Sequence, residues 1–143
     1  MPRIPRQMIE AMVEHARAEL PNEACGLIHA TDGAAVAVHR VPNAAASPYR
    51  YEMEPMEQLR LERHRDEHDE ELFAIYHSHV ASEARPSPTD VRMAFFPPGE
   101  LDADPAYPGT LYILVSLAEE SPTVRAFQIL RGGVVEEESI EVV

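Results

Sequence analysis

The chain has 143 residues, 45% of them hydrophobic, which suffices for one ordinary domain spanning residues 1–143 with its own core and no need of disulfides. Its 25 acidic and 12 basic residues give a formal net charge of −13, a balance that repels nucleic acid and anionic membranes. No stretch approaches the roughly 18 apolar residues of a membrane helix, and the mixed N-terminus lacks the apolar centre of a signal peptide. The expected compartment is the cytoplasm, in agreement with a single cysteine, Cys25.

From Arg6 to Leu20, apolar Met8, Ile9, Met12, Val13, Ala16 and Leu20 recur at helical spacing, and Pro21-Asn22 ends the pattern. Residues 24–30 and 34–41 are short apolar runs around the turn signal Thr31-Asp32-Gly33, and predict a hairpin. Residues 43–51 predict a loop, and 55–70 a second, highly charged helix that opens on Pro55. Residues 72–77, LFAIYH, have the length and apolarity of a buried strand. Ser87 or Thr89 is placed to cap a short helix that follows. Residues 97–109 form a proline-rich acidic loop, and 110–117, 123–130 and 134–143 predict three further strands.

The chemistry concentrates in YHSHVASEARPSPTD, residues 76–90. Side chains two apart on an extended chain share a face, so His77 and His79 can converge on one point. A catalytic zinc needs about three protein ligands and one open position, and Asp90 can supply the third. Two nitrogens and one oxygen suit Zn²⁺ better than oxygen-seeking Mg²⁺. By itself H-x-H is a weak signal. Glu23, in PNEACGLI just ahead of the first strand, strengthens it, because a carboxylate that is not a ligand is the general base a zinc hydrolase requires.

Glu23, then His77-Ser78-His79, then Asp90 with Ser87 three residues before it, resembles the signature of the JAMM (MPN+) metallopeptidases, with an ungapped fit from the second histidine to the aspartate. The order of elements resembles that domain over nearly the whole chain. Val80 stands where many members have proline, which bears on the shape of the loop and removes no ligand. The resemblance implies an α/β fold: one MPN (JAB/JAMM) domain, a mixed central sheet flanked by helices, cytidine deaminase-like. It implies that His77, His79 and Asp90 hold Zn²⁺, that Glu23 moves the proton from water to the leaving amine, and that Ser87 helps stabilise the oxyanion. NEACGL and YHSHVASEARPSPTDV look most like the small standalone bacterial members, the Mec type, which remove cysteine from the C-terminus of a ubiquitin-like sulfur-carrier protein ending in Gly-Gly. The implied partner is such a carrier, and the sequence is compatible with a homo-oligomer. Two alternatives stay open: an isopeptidase that deconjugates a ubiquitin-like modifier from lysine, and a non-catalytic MPN scaffold. The presence of Glu23 and every ligand argues against the scaffold.

Other motifs read as structural. HRDEH, residues 64–68, fits the H-x-x-E-H pattern of another zinc peptidase class, but its charged surroundings predict a solvated helix face. LRGG, residues 130–133, predicts a glycine turn rather than a substrate mimic. Cys25, within an apolar run, reads as a buried small hydrophobe rather than a nucleophile. Ser78 is expected to point away from its histidine neighbours and to serve the turn. His29 and His39 are expected to face solvent or satisfied partners, and His15 to lie on the polar side of the first helix.

Overall fold

A computed structural model describes residues 1–143. Its frame is a six-stranded mixed sheet. In chain order the elements are β1 (Arg3–Ile4), α1 (Arg6–Ala18), β2 (Cys25–Thr31), β3 (Ala34–Val41), α2 (Pro55–Glu67), β4 (Glu71–His79), α3 (Pro88–Met93), β5 (Leu111–Ser116), β6 (Thr123–Leu130), β7 (Val134–Glu138) and β8 (Glu141–Val142). The sheet order is β3-β2-β4-β5-β6-β7, with β4 and β5 parallel and the other neighbours antiparallel. No helix is long and apolar enough to cross a membrane.

Helices cover both faces because the central strands are apolar on both. Strand β5, LYILVS, is buried at every position. On one face, Ile28, Ala74, Tyr76, Ile113 and Val115 meet Met12 and Ala16 of α1. On the other, Leu27, Ile75, Tyr112 and Ile129 meet Leu61 of α2 and Ala94-Phe95 beyond α3. The alternation along β4 therefore sends Tyr76 toward α1 and Ile75, with His77 two residues on, toward α2 and α3. Gly26 faces Tyr76 across the β2–β4 pair, and a Cβ there would run into the tyrosine ring. The small residue lets a large ring lie flat on the strand.

The predicted mixed sheet flanked by helices is the observed architecture. The helices end earlier than their sequence patterns, at Ala18 and Glu67, and β4 runs on to His79. The last predicted strand divides into β7 and β8. Strand β8 leaves the main sheet to pair in parallel with β1, at Arg3↔Glu141 and Ile4↔Val142. LRGG forms a turn between β6 and β7, with Gly132 and Gly133 at φ 84° and 75°, where glycine has no Cβ penalty.

Three histidine expectations are corrected. His15 is 2% exposed, and its Nδ1 lies 2.7 Å from the Tyr76 hydroxyl, because it shares the inward face of α1 with Met12 and Ala16. His29 is fully buried, since α2 covers that face of β2. His64 turns toward the sheet, its ring 5.9 Å from that of His29 and 5.5 Å from that of His39, instead of lying on a solvated face.

Candidate metal centre

The centre forms where three chain segments meet at the end of β4. His77 and His79 extend from the same side of this strand, and the register pairs His77 with Cys25 and Leu114. Asp90 comes from the first turn of α3. Its Oδ2 lies 3.0 Å from His77 Nε2 and 3.1 Å from His79 Nε2, and the two nitrogens are 3.3 Å apart. These separations fit a shared ion: ligands about 2.0–2.1 Å from a tetrahedral zinc stand roughly 3.3 Å from one another. Without a cation, two imidazole nitrogens and a carboxylate oxygen at such spacing need a shared proton. The donor set and its geometry therefore fit Zn²⁺.

Each candidate ligand is held from behind. His79 Nδ1 donates to the Glu83 carbonyl at 2.7 Å, which turns Nε2 toward the centre, where a bound ion would replace the Nε2 proton. The His77 ring stacks on Tyr51, centroids 4.4 Å apart, while its Nδ1 is buried without a partner. Asp90 is fixed by a reciprocal cap: the Ser87 N–H donates to Oδ2 at 2.9 Å, and the Asp90 N–H donates to Ser87 Oγ at 3.1 Å. Burial works against the Asp90 carboxylate, but hydrogen bonds from the two histidines, the charge of His77 and the Ser87 N–H outweigh it and hold its pKa well below the usual range. Burial is also the largest influence on the imidazoles. It keeps His77 below its ordinary value, while at His79 the Asp90 and Glu83 hydrogen bonds outweigh it and raise the pKa.

Glu23 is 3% exposed, and its Oε1 has no hydrogen-bond partner. Burial pushes its carboxyl up to about 7, with His79 lowering it and Asp90 raising it further. A buried carboxylate with a free oxygen is poised to exchange a proton near neutral pH, and a bound dication would draw its pKa back down. Its main chain is anchored on both sides: the Glu23 N–H donates to the Ser47 carbonyl at 2.9 Å, and Asn43 Nδ2 donates to the Glu23 carbonyl at 3.0 Å. Next to it, the Ala24 N–H donates to Ser78 Oγ at 2.8 Å, so Ser78 points away from its neighbours and ties the Glu23 segment to the histidine strand.

His77, His79 and Asp90 are thus brought together, with Glu23 electrostatically coupled to them and Ser87 against Asp90. The Ser87 oxygen accepts from Asp90, so its own hydrogen remains free to donate. Cys25 stays apart from this chemistry: it is buried, its Sγ lies 3.4 Å from the Val41 carbonyl, and burial raises its thiol to about 12. Sequence reasoning missed Tyr51 and Asn43. Tyr51 sits in a loop without periodicity, and for Asn43 only the tendency of asparagine to bond nearby backbone was available as a signal. Beside Tyr51 opens a groove of 380 Å³, lined by Met93, Phe96, Pro98 and Tyr107 among others, with Phe96 81% exposed. The loop of residues 97–109 forms one of its walls.

The chain is similar to known proteins. The family described as "Prokaryotic homologs of the JAB domain" matches residues 5–130. A CysO-cysteine peptidase of Mycobacterium tuberculosis is 37% identical over 133 residues, covering 91% of this chain and 84% of the relative. A desampylase of Haloferax volcanii is 29% identical over 114 residues, 75% of this chain and 74% of the relative. The solution structure of protein DSY2949 from Desulfitobacterium hafniense superposes with a TM-score of 0.81 at 33% identity, covering 100% of this chain and 93% of that one.

Proposed function

We propose, from the premise that the chain belongs to the family of prokaryotic JAB-domain homologues, that it is a zinc-dependent peptidase acting on a ubiquitin-like sulfur-carrier protein. It hydrolyses the bond between the carrier's C-terminal Gly-Gly and an added cysteine, and the released cysteine serves biosynthesis. The observation that carries this reading is the convergence of His77, His79 and Asp90 at 3.0–3.3 Å, electrostatically coupled to the buried carboxylate of Glu23, whose Oε1 has no partner. The similarity to a CysO-cysteine peptidase and a desampylase supports a small ubiquitin-like protein as substrate. The choice of cysteine over a lysine side chain rests on the greater identity and coverage of the former.

His77, His79 and Asp90 would hold the ion. When bound, zinc supplies Lewis-acid activation of water and of the scissile carbonyl. Glu23 takes a proton from the attacking water as the new C–O bond forms at the terminal glycine. It then delivers that proton to the cysteine nitrogen as the C–N bond breaks, so products leave as a glycine carboxylate and free cysteine. Ser87 donates its free hydrogen to the carbonyl oxygen while that oxygen carries negative charge. A Gly-Gly tail is thin enough to thread the groove beside Tyr51, and the apolar Met93, Phe96 and Tyr107 are available to the body of the carrier.

The class of chemistry is tested by inhibition. A strong chelator should abolish turnover and Zn²⁺ should restore it, whereas thiol alkylation should leave activity intact because Cys25 is buried with a raised pKa. Activity that survives chelation and is lost on alkylation would sink the assignment.

Ser87 carries two roles that one variant separates. Ser87→Ala removes the cap on α3, at a cost of about 1 kcal/mol. It also removes the oxyanion donor, so kcat should fall roughly 10²-fold with KM little changed and zinc retained. A variant that melts lower yet turns over normally would leave Ser87 only the cap.

A further inference from the structure

A second group of histidines lies outside this centre and has no part in the chemistry above. His29 from β2, His39 from β3 and His64 from the last turn of α2 each place one ring nitrogen within 4.8 Å of the other two. The register pairs Leu27 with His39 and His29 with Ala37, so His29 and His39 are diagonal neighbours on the face that α2 covers, with ring centroids 4.2 Å apart. Glu70, in the turn between α2 and β4, closes the group. Its Oε1 is 3.4 Å from His29 Nδ1 and 3.3 Å from His64 Nδ1.

Four buried side-chain atoms here have no hydrogen-bond partner: His29 Nδ1, His39 Nε2, His64 Nδ1 and Glu70 Oε1. Each residue of the group contributes one of them. Glu70 Oε1 lies within ion-pair distance of His29 Nδ1 and His64 Nδ1 but forms a well-aligned hydrogen bond with neither, and four buried polar atoms converging from four segments of chain point to a shared occupant. Three imidazoles and a carboxylate are a donor set for a late first-row transition metal rather than for Mg²⁺ or Ca²⁺. Burial, with the neighbouring positive charges, depresses the pKa values of His29 and His39, His29 to about 4.

We propose that His29, His39, His64 and Glu70 form a second binding site for a divalent transition-metal ion, with Zn²⁺ as the expected occupant. Four protein ligands fill a tetrahedral ion and leave no position for water, so the site is structural. It fastens the β2–β3 hairpin to the end of α2, at the opposite end of β2 from Glu23. His39 and His64 are only partly buried, which gives an ion a route in. Arg65 opposes binding, since its Nη1 lies 3.1 Å from His29 Nε2 and donates to it. For Nδ1 to bind metal, Nε2 must carry the ring proton, and the partly exposed guanidinium must swing toward solvent.

The test is zinc stoichiometry on the full chain, stripped with chelator, equilibrated with excess Zn²⁺ and desalted. The wild type should retain about two ions per chain, H64A and D90A about one each, and the H64A/D90A double variant about none. His64 is one-third exposed, and H64A should keep its fold by circular dichroism. Zn²⁺ should raise the melting temperature of D90A but not that of the double variant. H64A binding as much zinc as the wild type would overturn the proposal, whatever D90A does, and would mean that water satisfies the four atoms. Zinc lost in D90A but unaffected by H64A would likewise overturn it while preserving the peptidase centre. Zinc lost in H64A but unaffected by D90A would support this site and sink the ligand set of the peptidase.

Discussion

Glu23→Gln should keep its zinc and lose about 10²- to 10⁴-fold in kcat, the range that a positioned general base contributes. The side chain keeps its shape, and the proposed ligand atoms belong to His77, His79 and Asp90, so metal affinity has no reason to fall. What disappears is the ability to accept a proton. The native carboxylate is suited to that task because it is buried and has one oxygen without a partner; burial raises its pKa to about 7, and a bound dication draws it down to keep the base ionised. An amide in its place can hold water but cannot deprotonate it. Metal analysis beside steady-state kinetics checks this. Undiminished turnover at full zinc occupancy would remove Glu23 from the mechanism.

The second large effect is expected at the ligands. Asp90→Ala and His77→Ala should weaken zinc binding by more than about 100-fold, since loss of a direct ligand exceeds the 10- to 100-fold cost of losing an outer partner. Activity should fall to background with it. In Asp90→Ala the carboxylate that both imidazoles face is gone, and the reciprocal bonds between Ser87 and Asp90 lose one half. In His77→Ala a fully buried ring is removed from its stack on Tyr51, which leaves a cavity beside the groove. Retained circular dichroism would show that each variant lacks an ion rather than a fold. Normal activity in either variant would refute the ligand set.

Much of the site was legible because it is written in short sequence distances. Alternation along one strand aligns His77 with His79, and an S-x-x-D turn presents Asp90 and caps α3 in the same few residues. The need of a zinc hydrolase for a carboxylate base singled out Glu23, and the family resemblance strengthened that link. What stayed hidden depends on elements far apart in sequence. Helix α2 buries only Leu61, so its charged pattern gave no sign of which face meets the sheet, and His64 read as solvated. His15 read as polar because histidine was counted as surface, although it falls on the Met12–Ala16 face and meets Tyr76. Strands β1 and β8 are two residues each, too short for any period to show, and only their pairing defines them. Tyr51 reaches His77 from a loop, through a contact that no local pattern encodes.

Hydrolysis between Gly-Gly and cysteine at the metal centre is tested most directly by the mass of the products formed in ¹⁸O-labelled water. The zinc-loaded protein is incubated with a sulfur-carrier protein bearing a C-terminal cysteine, in parallel with the same carrier joined to a lysine side chain. The expected products are free cysteine and a carrier that ends in Gly-Gly with one heavy oxygen in its new carboxylate, formed faster than any release of lysine. An intact cysteine conjugate beside a cleaved lysine conjugate, or cleavage without ¹⁸O at the terminal glycine, would contradict this mechanism.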